Sequence, residues 1–179
     1  MTESTLNIVN GWALYAHPFF LERLEALTAE VERAAAKNPD GFHHHPSYKL
    51  LDAVTENILV NVPANPAHPN YRQGTTLGKT NKHWLRVKKQ GMAPRYRLFF
   101  QFRSDAPKTI IYVWLNDEFT LRKSGDKSDV YAVFAAMIKG SKVPSGFAEL
   151  LAASKAYDLP ADATEADVVE EEKLISLKD

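Results

Sequence analysis

The sequence predicts an α+β domain: a helical pair, then an antiparallel sheet, then closing helices. Three observations predict it. Apolar residues recur at spacings of four, three and four over Phe20–Val31, the period falls to two over Arg95–Arg103, and helical spacing returns after Ser128. Residues before Asn10 read as a polar lead-in. Pro18, following His17, suits a first helical turn, and Phe20, Leu24, Leu27 and Val31 give that helix an apolar stripe. The breakers Lys37-Asn38-Pro39-Asp40-Gly41 end it. A second helix opens near Ser47 with Leu51, Val54 and Ile58 on one face, and is expected to end before Pro63. Three prolines between Pro63 and Asn70 make that stretch a loop.

The sheet follows. Trp84 to Lys88 alternates, with Trp84, Arg86 and Lys88 on one face and Leu85 and Val87 on the other. After a turn at Gly91–Pro94, Tyr96, Leu98, Phe100 and Phe102 point one way and Arg95, Arg97, Phe99, Gln101 and Arg103 the other. A second turn, Asp105-Ala106-Pro107, leads into Thr109–Leu115, a nearly continuous apolar run suited to a buried strand. Tight connections make an antiparallel meander of three to four strands the simplest topology. Ser128 caps the next helix, in which Val130, Val133, Phe134 and Met137 form the stripe and Gly140 the end. Phe147, Leu150 and Leu151 indicate one more short helix. Residues 8–157 are therefore read as one domain. Residues 158–179, with eight acidic residues, two basic ones and no aromatic, are read as an acidic, mobile tail.

Composition narrows the function. The chain has 179 residues, 45% apolar and 25% charged, as expected of a single soluble domain. It has no cysteine, which excludes disulfide scaffolds, thiolate zinc sites and cysteine nucleophiles. No apolar run nears the ~20 residues of a membrane helix, and the amino terminus lacks the basic flank of a signal peptide. A cytoplasmic protein with no membrane partner is expected. The net charge of zero conceals an asymmetry: Tyr71 to Lys142 holds fifteen Lys or Arg against five Asp or Glu, leaving seven basic and seventeen acidic residues elsewhere. A cationic segment between acidic ends points to a polyanionic partner.

If the apolar strand faces meet the helices, Arg86, Lys88, Arg95, Arg97 and Arg103 share the opposite face. Like charges facing one another cost stability. Five of them suit a phosphate backbone, with bases stacked beside it on Trp84 and Phe99. Lys79, Lys82 and His83 precede the first strand of the meander in a polar loop, and Arg122 and Lys123 follow its third strand, within reach of the same face. Tyr131 lies in the first turn of the long helix, off its stripe. His83, of a residue type that titrates near ~6.5, is a candidate base. The triplet His43-His44-His45 has no acidic partner at metal-binding spacing, and Asn116-Asp117-Glu118 reads as a turn, so no metal or cofactor is expected.

Asn10–Pro18 (NGWALYAHP), Leu77–Lys88 with Trp84, Arg95–Phe100 (RYRLFF) and Trp114–Arg122 (WLNDEFTLR) make roughly residues 8 to 150 recognisable. They resemble the YhaV toxin family, the toxin halves of PrlF–YhaV bacterial toxin–antitoxin systems within the RelE superfamily of messenger-RNA interferases. The resemblance implies a RelE/ParE-like fold and a metal-independent endoribonuclease that cuts messenger RNA, on or off the ribosome, and so inhibits translation and growth. It also implies a PrlF-like antitoxin of the AbrB type as partner, with operator DNA bound only through the antitoxin complex.

The resemblance assigns roles as well. Arg97, within Tyr96-Arg97-Leu98, matches the arginine of RelE-type toxins, Arg86 and Lys88 match their strand lysines, and Tyr131, within Ser128-Asp129-Val130-Tyr131, matches their helical tyrosine. The arginine six residues before that tyrosine falls at Gly125, which leaves Arg122 or Lys123 to stand in for it. The implied reaction is attack of a ribose 2′-hydroxyl on the adjacent phosphate, leaving a cyclic phosphate. Lys88, Lys82 or His83 would be the base, and Arg86 and Arg97 would hold the phosphate. Tyr131 or Arg122 would assist the leaving group or stack on a base. A ParE-like toxin that inhibits gyrase, and a nucleic-acid-binding module, are the alternatives; binding alone needs only the arginines.

Overall fold

The computed structural model describes residues 7–105 and 107–159. Asn10-Gly11, with φ of +49° and +81°, forms the paired positive-φ turn that closes a two-residue hairpin between Ile8–Val9 (β1) and Trp12–Ala16 (β2). This corrects the expected lead-in. Pro18–Lys37 (α1) begins where His17 Nδ1 accepts the Phe19 N–H at 3.1 Å. Pro46–Glu56 (α2) is capped in the same way by His45, whose Nδ1 accepts the Ser47 N–H at 3.1 Å. The histidine triplet thus serves local structure, with the His43 ring tilted against Phe42, their centroids 4.0 Å apart.

The second helix does not stop before Pro63. It runs through a π-turn, Asn57–Asn61, into Val62–Ala64 (α3). The Val62 N–H donates to Asn57 O, five residues back, so Pro63 falls at the start of a fresh turn where no N–H is needed. Leu85–Lys88 (β3), Arg97–Arg103 (β4) and Thr109–Leu115 (β5) form the antiparallel meander expected. The whole sheet, however, is mixed and six-stranded. Its order is β1-β2-β5-β4-β3, β2 lies parallel to β5, and Lys155–Ala156 (β6) pairs with β2. A parallel neighbour needs a crossover, and the segment holding α1 to α3 supplies it.

Val130–Lys139 (α4) is capped by Asp129 rather than Ser128: Asp129 Oδ2 accepts the Tyr131 N–H at 3.1 Å, while Ser128 donates to Asp126 through its N–H (2.8 Å) and hydroxyl (2.7 Å). Phe147–Ala152 (α5) is the short final helix. The expected tail lies, from residue 160 on, outside the described residues. Among the described residues no helix is long and apolar enough to cross a membrane.

The sheet is buried on both faces. One face, with Leu14, Val87, Leu98, Phe100 and Tyr112, packs against Phe20 and Leu27 of α1 and Leu50 and Val54 of α2. The other, with Trp84, Phe99, Ile111, Val113 and Trp114, is covered by Phe134 of α4 and Leu150 of α5. Phe134 is the centre of this second core, stacked 4.2 Å from Phe99 and 5.8 Å from Trp114, with Trp84 edge-on at 5.0 Å. Phe134→Ala should therefore cost about 3–5 kcal/mol. Urea unfolding would read this as a lowered midpoint, and Phe134→Leu should lose less.

Candidate functional site

The Asp129 cap sets Tyr131 in the first turn of α4, its ring 5.8 Å from Phe99 and edge-on to it. Its hydroxyl then reaches the margin of the sheet, where Arg86 Nε and Arg97 Nε each donate to it at 3.0 Å. Strand register explains the meeting. Arg86 lies opposite Phe99 and Lys88 opposite Arg97, so the two arginines are diagonal neighbours on one face.

Among the described residues neither arginine has a carboxylate partner. Arg86 Nη1 donates to Asn70 O at 2.6 Å, and Arg97 Nη1 to Pro94 O and Tyr96 O at 2.7 and 2.9 Å, all uncharged acceptors. Among the described residues the ion pairs are Arg122–Asp129 and Lys123–Asp126. Arg97 is only 4% exposed, so its charge is held in place largely out of solvent. A Tyr hydroxyl accepts at two lone pairs. Both are taken by guanidinium N–H groups, so its own hydrogen is left to donate elsewhere.

A second layer fixes this geometry. Asp129 Oδ1 accepts Arg122 Nη1 and the Lys123 N–H, each at 2.6 Å, and holds the Arg122 guanidinium 5.1 Å over the Tyr131 ring. Fully buried Asn116 accepts the Arg97 N–H at 2.8 Å and donates to Arg95 O and Thr120 O. Arg95 and Arg122 are tied together: Arg95 Nε donates to Arg122 O, and the Arg122 N–H to Arg95 O. Lys88 is exposed at the end of β3 beside Arg97.

The structure thus brings together Arg86, Lys88, Arg97, Arg122 and Tyr131, with Arg95 at their border. It does not gather the rest. Trp84 and Phe99 cannot stack on bases, because both are fully buried in the second core. Arg103, at the far end of β4, has its guanidinium 4.8 Å over the Phe147 ring. His83 Nε2 is held by Ser145 O at 2.9 Å and Ser145 Oγ at 3.1 Å, beyond the other end of β3 from Lys88. Lys79 and Lys82 are exposed at a 3₁₀ turn, and Lys123 pairs with Asp126 at 3.4 Å. The expected open cationic face is therefore corrected to a cluster at the sheet's margin, since α4 and α5 cover the centre.

Sequence reasoning missed Asp129 and Asn116. The first carried a signal, as an acidic residue two positions before Tyr131 where a cap belongs. The second carried none beyond its turn-forming type.

A family model for YhaV toxins, described as toxins with endonuclease activity of toxin–antitoxin systems, matches residues 14–155. The chain is 46% identical over 143 residues to "Ribonuclease toxin YhaV" of Escherichia coli strain K12, covering 79% of this chain and 91% of that protein. The same figures hold for "Toxin YhaV" of E. coli O6:H1 and of O157:H7. No solved structure matches.

Asp129 also makes the site sensitive to acid. Burial pushes its carboxyl up, but bonds from Arg122, Lys123 N–H and Tyr131 N–H, with the Arg122 charge, outweigh burial and leave it below the ordinary value. Ser128, chiefly through its N–H and then its hydroxyl, draws Asp126 down to about 2. A carboxyl depressed in the folded state contributes stability above the unfolded value of ~3.9 and loses it as pH falls through the folded value. Asp129→Asn should cost about 1–2 kcal/mol at pH 7. Its difference from the parent should shrink below about pH 4, as denaturant titrations between pH 7 and 3 would show.

Proposed function

The chain belongs to the YhaV toxin family, and we propose that it cuts messenger RNA at the Arg86–Arg97–Tyr131 cluster by a metal-independent attack of a ribose 2′-hydroxyl. It is a toxin with endonuclease activity, and as half of a toxin–antitoxin system it has an antitoxin partner. One observation carries the reading: two guanidinium groups, with no carboxylate partner among the described residues, meet on one tyrosine oxygen.

In this reading the scissile phosphate takes the place of the missing counterion, its non-bridging oxygens held by Arg86 and Arg97. As the 2′-oxygen bonds to phosphorus, charge grows on those oxygens, and each preorganised donor contributes ~3–4 kcal/mol there. Lys88, beside Arg97 on the adjoining strand, takes the 2′-hydroxyl proton. The bond from phosphorus to the 5′-oxygen breaks, and Tyr131 gives that oxygen its hydroxyl hydrogen. The products are a 2′,3′-cyclic phosphate and a 5′-hydroxyl. Arg122, paired with Asp129 over the Tyr131 ring, braces that ring beside the departing strand. A RelE-like arrangement, a PrlF-like antitoxin of the AbrB type, ribosome-associated substrate and a cytoplasmic setting belong to the same reading, as does a toxin domain spanning residues 8–157.

Labelled RNA incubated with the purified chain in EDTA, with and without ribosomes, should yield cyclic-phosphate ends. No cleavage in either setting, together with blocked DNA supercoiling, would favour a ParE-like toxin instead. Tyr131→Phe removes one hydroxyl and should slow cleavage by ~10²–10⁴-fold. It also strands two guanidinium N–H groups, so a stability loss of ~1–3 kcal/mol is expected and should be measured beside the rate. A folded Tyr131→Phe protein that cuts at the parental rate would remove Tyr131 from the mechanism.

A further inference from the structure

Directly after Lys88 the chain turns through three residues of positive φ: Lys89 at +65°, Gln90 at +49° and Gly91 at +86°. Glycine adopts such values freely. Lysine and glutamine do so against their own Cβ, and two in a row persist only where the surroundings hold them. We propose that Gln90 is a positioning residue of the cleavage reaction: clamped to Asn57 and Tyr71, it fixes this turn so that Lys88 stands beside Arg97. The proposal rests on the nuclease reading above, in which Lys88 is the base.

The clamp is built on the π-turn, a kind of helix interruption frequent at functional sites. Asn57, fully buried where α2 passes into that turn, has every polar position of its side chain engaged. Its Nδ2 donates to Ala53 O at 2.8 Å and to Gln90 O at 3.1 Å. Its Oδ1 accepts Asn61 Nδ2 at 3.0 Å and Gln90 Nε2 at 3.1 Å. Asn57 thus holds Gln90 by backbone and side chain at once. Gln90 Nε2 also donates to the Tyr71 hydroxyl at 3.2 Å, and the buried Tyr71 ring is set edge-on to Phe100 at 5.3 Å. The turn is therefore fastened to two parts of the first core.

Lys88 needs that fastening. β3 is four residues long and forms an edge of the sheet. Its first half is pinned separately, by the bridge from Leu85 to Arg72 and by the bonds of Arg86 to Tyr131 and Asn70 O. Its last residue is exposed Lys88, which lies directly opposite Arg97, and like charges so paired push the strand end away. Relaxation of the positive φ values in the turn would add to that push. The Lys88 ammonium rides on a flexible stem, so its place depends first on where its backbone is held. Gln90 opposes both tendencies two residues further on, and keeps the ammonium within reach of a phosphate on Arg97.

The test follows cutting of a labelled messenger RNA by the full chain, with ribosomes where the parent requires them. It compares the parent with Gln90→Ala, Gln90→Gly, Lys88→Ala and the double variant Lys88→Ala/Gln90→Ala. Positions 88 and 90 are exposed, and thermal unfolding checks that each variant is folded. Gln90→Ala should lower kcat ~10–100-fold and leave KM within about threefold, because Arg86 and Arg97 still hold the phosphate. Gln90→Gly takes the positive φ without strain but lacks the amide, so it should be as slow as Gln90→Ala. Lys88→Ala should lower kcat ~10²–10⁴-fold. Since Gln90 acts through Lys88, the double variant should be slower than Lys88→Ala by no more than about threefold. Gln90→Ala or Gln90→Gly at the parental rate, a change in KM alone, or factors that multiply in the double variant would each overturn the positioning role and leave the nuclease reading intact. A folded Lys88→Ala chain cutting at the parental rate would overturn the role together with the base assignment. No cyclic-phosphate ends from the parent would overturn the nuclease reading as well.

Discussion

Two positive charges converge on one phenolic oxygen, and much of the architecture exists to keep them there. With each Nε 3.0 Å from the Tyr131 hydroxyl, Arg86 and Arg97 approach within about 6 Å of one another. Unit charges at that separation repel by ~3 kcal/mol at an effective dielectric near ~20. Carbonyls of Asn70, Pro94 and Tyr96 soften this without cancelling the charge. An arriving phosphate meets donors whose orientation is already fixed, which is the condition for strong electrostatic stabilisation of a charged transition state.

The force that holds the arrangement is apolar. Phe134, stacked on Phe99 and Trp114, lays α4 across the sheet, and Tyr131 rides on the same helix one turn earlier. Cations could not occupy the middle of that face, because the second core excludes water there. They survive where the covering ends, at the edge formed by short β3. Burial on two faces thus determines where charge can sit, and the functional cluster is marginal by physical necessity.

Much of this was legible in the chain. Pro18, the breakers after Lys37, the alternation from Tyr96 to Arg103 and the apolar run from Thr109 to Leu115 each placed an element within a residue or two, because each signal is local. β2 was missed although Trp12, Leu14 and Ala16 alternate and Asn10-Gly11 marks a hairpin. Its pairing with β5 joins residues 96 apart, such as Ala13 and Thr109, and no periodicity reports on a partner so distant. The sequence pattern assigns the faces correctly but does not show that the second is covered: Trp84, Phe99 and Trp114 are what a two-sided core needs, and beside so many arginines Trp84 and Phe99 resemble stacking platforms. At the site, sequence offered residue types, and only packing decided that Arg97 and Tyr131 meet while His83 and Arg103 do not.

Why arginine stands at position 86 follows from geometry. A guanidinium is planar, so Nε can bond Tyr131 while Nη1 bonds Asn70 O, and the charge stays spread over a fixed fork. An ammonium ion would carry equal charge on one rotating atom and could not tie the helix to the loop before β3 in a defined plane. Arg97 does the same between Tyr131 and the Pro94–Tyr96 backbone. The bonds that fasten α4 to the sheet are therefore the bonds that aim the charges. Docking of the helix and assembly of the site are one event, and a chain in which α4 lifts away holds the same cations without the means to direct them.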